Sequence, residues 1–239
     1  MRRALLLLAL AAVPAVAVAA APAHRPAAAP HRAAPAVQDW SRTIVATPEG
    51  GFRMGNPAAR VKLIEYGSLT CPHCAAFSHE GVPRLIAGYV RSGKVSWEFR
   101  NYVLNGIDVT ASLLTRCAGA RGFFPMAETL FATQPQWIGR ISNLSQAEKD
   151  RLKALPDNAR IASLAQTAGL TQLAARYGVP AARAKQCLAD PAGFDRLGKI
   201  HQAGEALGVT GTPTFFVNNI MVQGIEWAEV EPALRTAGA

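Results

Sequence analysis

Two of the four cysteines lie close enough along the chain to react with each other, in the run Cys71-Pro72-His73-Cys74. Pro72 suits the first turn of a helix, because the N–H group that proline lacks would have no partner there. Cys71 is then placed at the start of that helix, where free backbone N–H groups and the helix dipole favour a thiolate. The spacing predicts a redox-active pair with Cys71 as its reactive member.

The two members of this pair are expected to differ in chemistry. Cys71 is predicted to be the exposed nucleophile and leaving group, with a lowered pKa to which the nearby ring of His73 contributes. Cys74, one turn into the helix, is predicted to be more buried and less acidic, so that it acts as the resolving thiol. A disulfide between the two is easily reduced, because its reduction releases a stabilised thiolate.

Other uses of a CxxC pair fit this sequence less well. A permanent disulfide here closes a loop of only two residues, which makes it a poor staple. A structural zinc site usually needs a second close pair of ligands, and Cys117 and Cys187 are seventy residues apart. Attached haem needs a histidine directly after the second cysteine, where this chain has Ala75. We therefore expect neither a metal nor a cofactor.

Cys117 and Cys187 form the second candidate pair. Four cysteines allow three pairings, and the CxxC spacing favours the local pair, which leaves these two for each other. A bond between them would close a loop of seventy residues and contribute about 4 kcal/mol in the chain-entropy model. We expect a structural disulfide here, and two buried free thiols are the alternative.

The first residues have the features of an export signal. Two arginines precede an uncharged, apolar run, and the small residues at 17–21 fit a cleavage site. Residues 1–21 are predicted to be a cleaved signal peptide, and residues 22–38 an Ala/Pro-rich tether. An uncleaved membrane anchor is the alternative, because the apolar run is just long enough to cross a bilayer.

The charge of the chain gives little support for binding to nucleic acid. The formal charge of the 239 residues is +9, but four of the 25 basic residues precede Asp39. The other 21 basic residues face 16 acidic ones and form no Lys/Arg-rich run with interleaved aromatic residues. We expect no nucleic-acid partner.

Hydrophobic patterning predicts a strand–helix–strand unit around the CxxC run. Residues 61–66 form a short, mostly apolar run that is typical of a buried strand, and residues 95–100 alternate like a second strand. The helix between them is predicted to run from Pro72 towards Ile86 or Tyr89. Such a unit makes a parallel pair of strands with a right-handed crossover.

The next eighty residues carry almost only helical signals. Ser145 and Glu148 match a capping box, while Thr171 and Pro180 are predicted starts of two short helices. A long helix over 192–207 then leads back to the sheet.

The last part of the chain returns to strands. Residues 214–217 and 220–222 flank Asn218-Asn219, a good two-residue hairpin turn, and a helix over 227–236 follows. The order predicts an α/β domain split by a helical insertion. We place its first part at 39–106, the insertion at 107–190 and its second part at 191–239.

In the CPHC run at residues 71–74, this chain resembles the DsbA-like thiol:disulfide interchange proteins of the thioredoxin superfamily, which are bacterial periplasmic enzymes. The run Gly211-Thr212-Pro213-Thr214 is similar to the cis-proline loop of that family, and the helical block matches its inserted domain. The resemblance extends from about Gly55 to the end of the chain. It implies a thioredoxin-like fold with an α-helical insertion, a cis bond before Pro213, and a Thr212 backbone that pairs with the substrate near Cys71.

Glu65 lies six residues before Cys71 on the predicted strand. The resemblance implies that it is a buried acid that moves the proton of the buried cysteine. Burial in an apolar strand would raise its pKa and suit that role. The alternative is a residue that faces solvent or pairs with Arg100.

The resemblance further implies an oxidase that gives its Cys71–Cys74 disulfide to reduced exported polypeptides in the periplasm. A membrane quinone reductase of the DsbB type would reoxidise it, and we expect a monomer. Thr212 stands where the best-known oxidase has valine. A threonine at this position resembles isomerase and reductase relatives. A reductase or isomerase is therefore the first alternative, and a non-catalytic periplasmic protein that binds a metal or a thiol is the second.

Overall fold

A computed structural model describes residues 38–239 of the chain. The predicted signal peptide, and the predicted tether up to residue 37, lie outside these residues. Within the described part, no helix is both long enough and apolar enough to cross a membrane.

A six-stranded mixed sheet forms the centre of the described part. Its strands are β1 (Ile44–Ala46), β2 (Phe52–Gly55), β3 (Val61–Gly67), β4 (Val95–Asn101), β5 (Thr214–Val217) and β6 (Ile220–Met221). Their order across the sheet is β1-β2-β4-β3-β5-β6, with β3 and β4 parallel and every other pair antiparallel. The four strands predicted from the sequence are confirmed, and the short β1 and β2 were not predicted.

Helices separate and follow these strands along the chain. They are α1 (Pro72–Leu85), which continues as a π-helical turn (Ile86–Val90), α2 (Gly106–Cys117), α3 (Gly119–Ala132), α4 (Gln134–Ser142), α5 (Gln146–Ala154), α6 (Asp157–Thr167), α7 (Leu170–Ala175), α8 (Ala181–Leu188), α9 (Pro191–Ala206) and α10 (Trp227–Thr236). A 3-10 turn over Trp40–Arg42 precedes β1. The seven helices α2 to α8 are the predicted insertion, although its exact boundaries stay a prediction.

Three local predictions fall in this block. The capping box of Ser145 and Glu148 is present at the start of α5, so that prediction is confirmed. The short helix predicted to start at Thr171 is α7, which begins one residue earlier because Gly169 adopts the left-handed conformation (φ 75°) before Leu170. The short helix predicted to start at Pro180 is α8, in which Pro180 is the N-cap and Ala181 the first helical residue.

Strand β5 shows how the sheet is covered on both faces. Neighbouring residues of a strand point to opposite faces. Phe215 packs against Phe77 of α1, with ring centroids 4.4 Å apart, while Phe216 packs edge-on against Tyr66 at 5.9 Å on the other side. Ile200 of α9 joins this second cluster. Helix α1 is thereby fixed against the sheet at the place where it carries the two cysteines.

Candidate active site

Cys71 is the N-cap residue of α1. Its backbone is extended (φ −81°, ψ 124°), Pro72 is the first helical residue, and Cys74 lies in the first turn. The carbonyl oxygen of Cys71 accepts the N–H of Ala75 at 3.1 Å. The first turn of the helix therefore begins where the sequence placed it, with its free N–H groups near the sulfur of Cys71.

The predicted exposure of Cys71 is wrong. Only 6% of its surface is exposed, and Cys74 is fully buried. The cover comes from a distant part of the chain, because the thiol of Cys71 donates a hydrogen bond to the carbonyl oxygen of Thr212 at 3.1 Å. The prediction that Cys74 is the more buried of the two cysteines is confirmed.

The pKa of Cys71 is lowered from its usual 9.0 to about 5. The largest cause of the lowered pKa is the hydrogen bond with the Cys74 thiol. Smaller causes are a hydrogen bond with Thr212 and those from the backbone N–H groups of Cys74 and His73, while burial raises the pKa. The Thr212 hydroxyl itself has no hydrogen-bond partner within normal geometry, so the Cys74 thiol and the amides carry the effect.

The pKa of Cys74 is raised well above its usual value. Burial is the main cause, and the hydrogen bond to Cys71 and the negative charge of Glu65 add to it. The pKa values of the two thiols are thus shifted in opposite directions, so a single negative charge on the reduced pair resides on Cys71. Such a pair accepts electrons readily when oxidised, because its reduced form is stabilised.

The loop before β5 lies against this pair. The peptide bond between Thr212 and Pro213 is cis, as the resemblance implied. The hydroxyl of Thr214 donates to the carbonyl oxygen of Gly211 at 2.8 Å and closes the turn. Pro72 and His73, which directly follow Cys71, are exposed.

Glu65 is 2% exposed and lies on β3, the strand that precedes the two cysteines in the chain. Burial raises its pKa to about 8, against a hydrogen bond from the indole N–H of Trp97 at 3.1 Å. It does not face solvent, and Arg100 pairs with Glu98 instead, at 2.7 Å. The alternative reading of Glu65 is therefore wrong, and its carboxyl group is an acid that holds its proton near neutral pH.

The sequence analysis missed two residues that hold the loop before Cys71. The amide nitrogen of Gln134, a buried residue at the start of α4, donates to the carbonyl oxygens of Leu69 (2.9 Å) and Cys71 (3.0 Å). The carboxylate of Asp108, fully buried in α2, accepts from the N–H of Leu69 at 3.0 Å. Both partners come from the insertion, and nothing local in the sequence marks them.

Cys117 and Cys187 are joined in a disulfide, with their Cα atoms 6.1 Å apart. The bond ties the end of α2 to the end of α8 within the insertion. Within residues 38–239, no group of three or more His, Cys, Asp or Glu side chains could hold a metal ion.

The sheet order, the cysteine pair at the start of α1 and the adjoining cis-proline loop together define a thioredoxin-like fold with an α-helical insertion. A family model described as Thioredoxin matches residues 47–235, and the chain belongs to this family.

Known proteins similar to this chain carry related names. The "Putative protein-disulfide oxidoreductase" of Rickettsia prowazekii is 25% identical over 77% of this chain and 60% of its own length. The crystal structure of a protein-disulfide isomerase from Novosphingobium aromaticivorans is 32% identical, with a TM-score of 0.72, over 78% of this chain and 97% of that one. Wolbachia pipientis alpha-DsbA1 shares the fold, with a TM-score of 0.63 at 22% identity over 81% of this chain and 92% of its own. The chain thus spans about three fifths of the Rickettsia relative.

Proposed function

We propose that this protein is a thiol–disulfide oxidoreductase that works as an oxidase, donating the Cys71–Cys74 disulfide to other proteins. The observation that supports this most is the opposed acidity of the two thiols. The pKa of Cys71 is lowered to about 5 and that of Cys74 is raised, so the reduced pair is stabilised as one thiolate.

The reaction begins when a substrate thiolate attacks the sulfur of Cys71 in the disulfide. The bond between the two cysteines breaks, its electron pair goes to Cys74, and a mixed disulfide forms at Cys71. A second substrate thiolate then attacks the substrate sulfur of that mixed disulfide. Cys71 leaves as a stabilised thiolate, and the substrate has gained the disulfide.

Three further side-chain and backbone groups support these steps. Glu65 gives its proton to the Cys74 thiolate as that sulfur leaves, which its raised pKa permits near neutral pH. The backbone of Thr212, held by the cis bond to Pro213, pairs with the substrate chain beside Cys71. Pro72 starts the helix, and the backbone N–H of His73 contributes to the acidity of Cys71.

The substrates in this account are reduced polypeptides that have been exported to the periplasm, where disulfides persist. The pattern of residues 1–21 supports export by a cleaved signal peptide. After each cycle, a membrane quinone reductase of the DsbB type would reoxidise the pair. The protein would act as a monomer.

Equilibration with glutathione tests the proposal, read by mass spectrometry so that both cysteine pairs are followed. An oxidase gives a Cys71–Cys74 disulfide that mild concentrations of reduced glutathione open, while Cys117–Cys187 stays closed. A strongly reducing pair contradicts the oxidase and favours a reductase. A Cys71→Ser variant abolishes turnover of a reduced, unfolded substrate in either case.

Disulfide isomerase activity is the second candidate. Thr212 and the name of the Novosphingobium relative favour it. An isomerase would restore activity to a substrate with scrambled disulfides faster than to a fully reduced one. A non-catalytic binding protein would take up metal stoichiometrically when reduced and would turn over neither substrate.

A further inference from the structure

Glu65 has no direct contact with solvent, although the proposed cycle requires its carboxyl group to lose and regain a proton. The residue is 2% exposed, and one of its oxygens accepts a hydrogen bond from Trp97. Transfer to Cys74 therefore leaves a buried carboxylate, which is costly until a proton reaches it. The proton needs a path through the packed side chains between β3 and the surface.

A small cavity adjoins Glu65 between α1, α3 and the sheet. It offers about 10 Å³ of space for the centre of a water molecule, which is close to the least that one water requires. Its polar lining residues are Glu65, Ser78 and Glu128. A single water there would have the two or more polar partners that buried waters need.

A larger groove of about 720 Å³ lies outside this cavity and opens to solvent along α1, starting at Pro72. The cavity and the groove share four lining residues, which are Ser78, Val82, Glu128 and Phe131. Two of these side chains are apolar and cannot carry a proton. The side chains that border both the cavity and the groove thus include one hydroxyl group and one carboxyl group that could pass a proton between them.

Glu128 is suited to this position by its own environment. It lies on α3, a helix of the insertion, and the residue as a whole is exposed. The packing around its carboxyl group nevertheless raises its pKa. A carboxyl group that borders the open groove and also the cavity of Glu65 can exchange protons with both through an intervening water.

We propose that Glu128 is the outer relay of a proton path that runs from solvent through the small cavity to Glu65 and on to Cys74. The inference rests on the proposed function. When Cys74 leaves as a thiolate, it takes the proton of Glu65. Glu65 regains a proton through the cavity from Glu128, and Glu128 is reprotonated by solvent. Neither Glu65 nor Cys74 is then left with a negative charge.

The test compares Glu128→Gln with Glu80→Gln, which removes the same charge from an exposed position of α1 that lines neither the cavity nor the groove. Oxidised full-length protein is mixed rapidly with a reduced peptide in dilute buffer, and the change in tryptophan fluorescence gives the rate of reduction. We expect Glu128→Gln to slow this rate by about tenfold, with a larger solvent isotope effect, and Glu80→Gln to leave it unchanged. Added formate or imidazole should restore much of the lost rate, and the glutathione equilibrium should stay unchanged.

A purely structural role of Glu128 predicts a different pattern. The relay is overturned if Glu128→Gln slows the reduction and added formate or imidazole does not restore the rate. It is also overturned if Glu128→Gln reacts at the same rate as Glu80→Gln. Failure of the proposed function is a separate outcome, because the unaltered protein would then fail to oxidise the peptide at all.

Discussion

The side-chain amide of Gln134 donates a hydrogen bond to the backbone oxygen of Cys71 at 3.0 Å, across 63 residues of sequence. The same nitrogen donates to the oxygen of Leu69. Because Cys71 is the N-cap of α1, this contact connects the first turn of the insertion helix α4 to the residue that starts the active-site helix. The insertion is therefore part of the site and holds its reactive residue in place.

Replacing Gln134 should disturb both stability and acidity. Gln134→Leu leaves the carbonyl oxygen of Leu69 without a donor and leaves that of Cys71 with only the N–H of Ala75, so we expect a loss of about 1–3 kcal/mol in the free energy of unfolding. A looser helix start should also raise the pKa of Cys71, which the ultraviolet absorbance of the thiolate measures.

The control for this prediction is Gln136→Leu, an exposed glutamine of the same helix. It should change neither quantity. An unchanged thiolate titration in Gln134→Leu would show that the amide stabilises the fold without positioning Cys71.

The sequence predicted those features of the site that depend on neighbours along the chain. The CxxC spacing and Pro72 located the start of α1, because helix capping is a local property. Strands β3 and β4 were also predicted from local patterns, β3 from a short, mostly apolar run and β4 from alternating apolar and polar residues.

The features that the sequence did not predict depend on contacts between distant segments. Cys71 is covered by Thr212, which lies 141 residues further along, and no periodicity in either segment shows this contact. Gln134 and Asp108 are polar residues of helices that carry no local sign of burial. Strands β1 and β2, with three and four residues, are too short for a periodic signal.

Glu65→Gln should make the reduced protein more stable at neutral pH while slowing turnover. The pKa of Glu65 is raised from 4.5 to about 8, so the folded state binds this proton more tightly than the unfolded state does. The free energy of unfolding then falls as pH rises between these two values, by up to about 3 kcal/mol by pH 7. The neutral glutamine removes this loss.

Denaturant unfolding of the reduced protein and of Glu65→Gln at several pH values measures the effect. The difference between the two should grow from about pH 4.5 to about pH 8 and then level off. A difference that does not depend on pH would mean that Glu65 titrates normally.

Removal of the Cys117–Cys187 bond should affect stability and leave the chemistry of Cys71 unchanged. The bond closes a loop with a sequence separation of 70, so Cys117→Ala with Cys187→Ala should lower the free energy of unfolding by about 4 kcal/mol. Denaturant unfolding measures this loss. Turnover under conditions where the double variant is folded should match that of the unaltered protein, and a large loss of turnover would assign this disulfide a part in the reaction.

The acidity of Cys71 is the claim on which the proposed function depends most directly. The measurement is a pH titration of thiolate absorbance in the reduced protein, with Cys71→Ser as the blank that removes the transition. The structure predicts a midpoint at about pH 5, and a midpoint near the ordinary thiol value of 9.0 would contradict it.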